Sequence, residues 1–180
     1  MSWGVTVELT EEQTAYAIGR GEARQRNAES KHLRPTFAEQ YCGQMLDNHK
    51  RGACAELAVR KFYSFPLTLG VGEFFVPDIE GTNIEIRWSR NRDGCKVRHR
   101  DIEQGRVIVG TNGSFNQTEI LGWIFASDAP ARGRASIPDP NRPACIFIEE
   151  LAWENPYTLT PDIYSTAHDA AARSNHLLFL

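Results

Sequence analysis

No stretch of the chain approaches the roughly 20 consecutive apolar residues that a membrane-spanning helix requires, so a helical bilayer anchor is not expected. Residues 1–8 lack the basic start and apolar core of a secretory signal, which makes the cytoplasm the expected location. Cys42, Cys54, Cys95 and Cys145 are widely spaced, with no C-x-x-C pair and no histidine at finger spacing. That argues against a structural zinc site and against a disulfide framework, and it reads the cysteines as reduced core residues. Excess positive charge is also missing. Lys and Arg number 20 against 23 Asp and Glu, a net charge of −3. A nonspecific nucleic-acid coat would be basic overall, so any such contact has to come from a local patch. Internal repeats and low-complexity tracts are absent as well.

What is present fits one domain with extensions. The chain has 180 residues, 41% hydrophobic and 24% charged, ordinary values for a globular protein. Val5, Val7 and Leu9 alternate with polar residues as in a short strand. Thr10 then caps a helix running toward Glu29, with Gln13 completing a capping box; this helix is charged, weakened by Gly19 and Gly21, and expected on the surface. Pro35 and Thr36 open a second helix through Leu46, and a third spans about Asn48 to Tyr63. Gly52, Ala53 and Ala55 make that third helix slim enough for close packing on a sheet.

From Pro66 onward the pattern is strand-like. Glu73–Val76, Asn83–Trp88, Lys96–Arg98, Arg106–Gly110, Glu119–Ala126 and Ile146–Ile148 are short runs separated by turn residues. Asp128 to Pro143, rich in proline and arginine, reads as an exposed loop, and Thr166 to Arg173 as a closing helix. The sequence therefore divides into a helical extension (1–47), an α/β core (48–150) with a mixed central sheet, and a helical tail (151–180).

Two features carry chemistry. Arg87, Arg90, Arg92, Lys96, Arg98 and Arg100 crowd one stretch that holds only Asp93 as an opposing charge between them, either a solvated twisted hairpin or a phosphate-tracking patch. Just before them stands Asp78-Ile-Glu-Gly-Thr-Asn-Ile-Glu85-Ile-Arg87. Residues 80–82 are turn-formers, which puts Asp78 and Glu85 on adjacent arms of a hairpin. Glu85 and Arg87, two apart on a strand, share a face, while Ile84 and Ile86 face a core. Glu56, on the preceding helix, supplies a third acid in an apolar context where a glutamate needs a reason. Clustered carboxylates with a neighbouring cation suit a divalent metal and a phosphate. Weaker signals are His49 with Asn48, His168 with Asp169, the sequon-like turns at Asn112 and Asn116, and Trp88, Trp123 and Trp153, read as core or rim aromatics.

These residues carry a resemblance. Pro77-Asp78, six residues, then Glu85-Ile86-Arg87 resembles the PD-(D/E)XK phosphodiesterase superfamily. The order G-A-x-x-E-L-A-V (52–59), D-I-E-G-x-x-I-E-I-R (78–87), V-I-V-G-T (107–111) and I-L-G-W-I (120–124) is similar to small phage and bacterial proteins of that group. The resemblance covers about residues 48–126. It implies a restriction-endonuclease-like fold, a nuclease dependent on Mg2+ (with Mn2+ as a substitute), DNA as substrate, and phage or mobile-element origin, hence the host cytoplasm. Asp78 and Glu85 match the metal ligands, Glu56 the helix acid and Arg87 the basic position; Arg90, Arg92, Lys96, Arg98 and Arg100 would track the DNA backbone. Nucleases of this type often pair subunits, which leaves a homodimer open. The departure is Arg87, where the pattern has lysine: arginine stays charged and cannot act as a base. The alternative is therefore the same fold with impaired catalysis, acting as an accessory factor that binds nucleic acid or protein.

Overall fold

A computed structural model of the chain describes residues 3–30, 38–70, 76–136 and 144–164. Helices and two sheets give a mixed α/β architecture in two compact units: Thr6–Val76 with Gly113–Thr118, and Met1–Val5 with Pro77–Asn112 and Glu119–Leu180. The expected strand at Glu73–Val76 and helix at Thr166–Arg173 lie wholly or mostly outside the described residues, as do the cap at Thr36 and the pair His168 and Asp169.

The first unit is mainly a helical pair. After β1 (Val5–Glu8), helix α1 (Glu11–Ser30) starts at the expected capping box. Thr10 N–H donates to Gln13 Oε1 at 3.0 Å, and Gln13 N–H donates back to Thr10 Oγ1 at 3.2 Å. Far from being wholly on the surface, α1 buries Ala17, Gly21 and Gln25, one stripe at i, i+4, i+8. At Gly21 the α2 backbone comes close: a Cβ there would stand 2.6 Å from the Lys50 Cα. The glycine read as a weakness is thus a contact point of the pair.

Helix α2 (Ala38–Phe62) is one continuous element, a correction to the two helices expected there. Asn48 and His49 cannot break a helix as proline does, and Arg51 Nε reaches back to Asp47 Oδ2 at 2.7 Å, spanning the expected interruption.

The second unit contains the sheets. β2 (Ile84–Trp88) pairs in parallel with β4 (Val107–Gly113), in the register Ile84 opposite Val107 through Trp88 opposite Thr111. β3 (Cys95–Arg98) and the short helix α3 (His99–Glu103) lie between them in sequence. β5 (Gln117–Phe125) follows β4, and the four-stranded sheet has the order β1-β5-β4-β2. The loop expected from Asp128 is in its first part ordered: α4 (Ala129–Arg132) buries Ala129, and β6 (Gly133–Ala135) joins β7 (Cys145–Ile148) in an antiparallel pair. Residues 137–143 of that stretch lie outside the described residues. The second sheet has the order β3-β7-β6.

The core of this unit gathers Cys95, Val97, Ile108, Leu121, Ile124, Ala126, Ile148 and Trp153. Gly110 and Gly122, from the two glycine-bearing strand motifs, meet the same tryptophan: a Cβ on Gly110 would lie 2.4 Å from Trp153 Cζ2, and one on Gly122 would lie 2.7 Å from Trp153 Cβ. Cys54 and Cys95 are free and buried, as expected of core thiols. Among the described residues no helix is long and apolar enough to cross a membrane.

Candidate functional site

The acidic site is built on β2, an edge strand of the four-stranded sheet. Its period of two sends Glu85 and Arg87 to one face, as expected, and Arg87 Nη1 contacts Glu85 Oε1 at 2.7 Å. Ile84 and Ile86 are buried on the other. The hairpin is not found. β2 has its ladder partner in parallel β4, and Asp78 precedes it in a turn closed by Thr82 N–H donating to Ile79 O, with Gly81 at φ 73°. A parallel neighbour leaves the β2 edge open, and Asp78 fills the role of a strand there. Its Oδ2 accepts the Ile86 N–H at 2.7 Å. Asp78 thereby lies close enough to Glu85 for its charge to act on that carboxyl.

A third acid, Asp101 on α3, completes the group and escaped the sequence reading. It is almost fully buried, and its two oxygens receive Arg87 Nη2 at 2.7 and 2.9 Å. It also accepts the Arg98 N–H at 2.8 Å, which turns β3 into α3. The available signal was positional: an acid directly after the arginine run, three residues beyond a strand end, is where a helix cap is expected.

Burial pushes the Glu85 carboxyl up to about 7; the Asp78 charge adds to the rise, Arg87 opposes it, Asp101 raises it further and Arg106 opposes it. For Arg87, burial disfavours its charge, but the Glu85 and Asp101 carboxylates outweigh burial and hold the guanidinium protonated. Its Nε–H is buried without an acceptor, an unmet donor inside the cluster. Asp78, Glu85 and Asp101 thus face Arg87 and the more distant Arg106, with Arg100 at 3.8 Å from Asp101 and Arg98 near both Asp101 and Glu85, so guanidinium groups match the three acids. Carboxylate oxygens are the ligand type a hard divalent cation takes. Among the described residues, however, no group of three or more His, Cys, Asp or Glu side chains is placed to hold a metal ion.

Glu56 belongs to the helical unit, where its surroundings explain it. The buried carboxylate receives Arg24 Nη2 at 2.5 Å on one oxygen, and Arg60 Nε and Nη2 at 3.2 and 3.1 Å on the other. Arg24 and Arg60 reach onward to the carbonyls of Gly70 and Pro66. His49, on α2, has its pKa lowered by burial and by Arg24.

The basic residues diverge in use. Arg92 bridges Glu119 and Glu150 at 3.0 and 2.9 Å, and Arg100 leans on Asp101 at 3.8 Å. Arg90 is exposed, its carbonyl tied to Asn112. Lys96 and Arg98 are exposed on the outer face of β3, the Arg98 guanidinium near enough to Arg87, Arg100, Asp101 and Glu85 to feel their charges, its pKa lowered chiefly by burial. Trp123 and Trp153 are buried rather than available for stacking.

Comparison with family models, with curated proteins and with solved structures found no match to this chain.

Proposed function

We propose that this chain is a metal-dependent phosphodiesterase acting on DNA, on a restriction-endonuclease-like sheet, with its site on β2. The observation that supports the reading best is the gathering of Asp78, Glu85 and Asp101 around Arg87, with the Glu85 carboxyl pushed up to about 7. Gathering like charges in a partly buried place costs stability, and such clusters concentrate at functional sites. Asp78 and Glu85 would hold Mg2+ or Mn2+. Such an ion, when bound, neutralises charge on the phosphate and lowers the pKa of water. Glu85 gives up its proton as it becomes a ligand, so metal affinity should rise with pH. Asp101 fixes Arg87, and Arg87 holds the scissile phosphate with charge that does not titrate away. Glu56 organises the helical unit.

A supercoiled-plasmid nicking assay with Mg2+ or Mn2+ tests this. Wild type should nick, and Asp78→Ala and Glu85→Gln should lose at least a hundredfold in rate. Wild type behaving like Asp78→Ala with both metals would end the nuclease reading.

A second reading, a binding module without cleavage, is favoured by one observation: Arg87 already spans Glu85 and Asp101, occupying an oxygen on each. It expects DNA retention in a gel-shift assay with no nicking in either metal.

A further inference from the structure

The sheet β3-β7-β6 has two unlike faces. Cys95, Val97, Ile146 and Ile148 turn inward to the core. The outward residues form a row across all three strands, because Lys96 and Arg134 both pair in register with Phe147 on the central strand. Arg98, opposite Cys145, begins the next row. Lys96, Arg98 and Arg134 are exposed, and among the described residues none of the three side chains is in an ion pair. The Lys96 ammonium lies 5.3 Å from the centre of the Phe147 ring. Beside the ring opens a cleft of about 440 Å³ lined by Asp93, Arg134, Phe147, Glu149 and Glu150.

We infer that this face is a binding platform for single-stranded DNA, with Phe147 stacking a base and Lys96, Arg98 and Arg134 holding the flanking phosphates. An aromatic ring on a central strand, with cations on both neighbouring strands, supplies the two things a single strand offers: π-faces and regularly spaced charge. Duplex DNA hides its base faces, so the ring would gain nothing from it. Of the acids at the cleft, Glu150 is paired with Arg92, while Asp93, whose Oδ1 accepts the Glu150 N–H at 2.8 Å, keeps its charge. Glu149 remains to accept from an exocyclic amine at a base edge. The platform is continuous with the acidic site, since Arg98 gives its N–H to Asp101 at the end of β3.

The choice of DNA rests on the proposed phosphodiesterase reading, but the test is independent of cleavage. Fluorescence anisotropy in EDTA would measure binding of the full chain to a labelled oligothymidylate of about 15 nucleotides, a length within the range one such surface covers, against the same length of duplex and of oligouridylate. Single-stranded DNA should bind at least tenfold tighter than duplex. Phe147→Ala should weaken it about tenfold or more, while Phe147→Tyr, which keeps the ring, should bind like wild type. Arg134→Ala, on an edge strand where folding is little affected, should flatten the log–log salt dependence by roughly 0.7. Equal binding of duplex, tighter binding of the RNA, or unchanged affinity in Phe147→Ala and Arg134→Ala would overturn the proposal. Plasmid nicking that persists when these variants bind normally would leave the nuclease reading standing without the platform; binding as expected with no nicking would do the reverse.

Discussion

Glu85 is a carboxyl group whose folded environment favours the proton. Burial and the Asp78 charge raise it to about 7 from an ordinary value of 4.5. A group raised in the folded state contributes its full stability below the unfolded pKa and loses it as pH rises through the folded value. The native state should therefore weaken between about pH 4.5 and pH 7 on account of this residue. Glu85→Gln keeps an acceptor for Arg87 and removes the titration. Its melting temperature relative to wild type should climb from pH 5 to pH 8, by an amount corresponding to about 1–3 kcal/mol; a pH-independent difference would show that Glu85 does not titrate in this way. Gly110 makes a second point at this scale. With Trp153 in the space a side chain needs, Gly110→Ala must push the indole out of the core. Chemical denaturation should register a loss of about 1–3 kcal/mol, the usual cost of overpacking.

At the level of elements, α1 and α2 are joined by a buried carboxylate bracketed by two guanidinium groups. Removing one partner of such a network strands buried charge, which costs about 3–5 kcal/mol. Glu56→Ala should lower the urea midpoint accordingly, and Glu56→Gln, still an acceptor, should lower it less. Equal and small effects would mean the arginines find water instead. The same elements show how much could be read in advance. The α1 capping box was legible because it is local: two side chains and two backbone N–H groups within four residues. The shared face of Glu85 and Arg87 was legible because strand periodicity alone fixes it. Asp78 as a hairpin arm failed because turn residues at 80–82 do not specify which strand β2 will join, and parallel β4 arrives after α3. Asp101 and the Arg24 partner of Glu56 were hidden for a related reason: their contacts span 14 residues from Arg87 and 32 from Glu56, distances at which sequence spacing carries no geometry, whereas Arg60, four residues after Glu56 on the same helix, was within reach of helical spacing. The row Lys96–Phe147–Arg134 depends on the pairing of three separate strands and leaves no local trace.

Over the whole molecule, a net charge of −3 disfavours nucleic acid at long range, so on the proposed reading the acidic site and the sheet face with Lys96 and Arg134 would have to work locally. A divalent cation at the acidic site would reduce that opposition and would also bind the folded state in preference to the unfolded one. For a dissociation constant near 1 mM, about 10 mM Mg2+ would add roughly 1.4 kcal/mol, or about 3–6 °C in melting temperature for a chain of this length. Protonated Glu85 is a poor ligand, so the shift should be larger at pH 8 than at pH 6. Ionic strength matched with NaCl separates site binding from general screening. Asp78→Ala and Glu85→Gln should abolish the Mg2+-specific part. Hydrogen exchange adds a location: Mg2+ should slow exchange chiefly within Pro77–Asn112, the Ile86 amide above all, since Asp78 accepts its hydrogen. A Mg2+ shift that survives in Asp78→Ala, or protection confined to Thr6–Val76, would place the ion elsewhere and remove the metal from the β2 site.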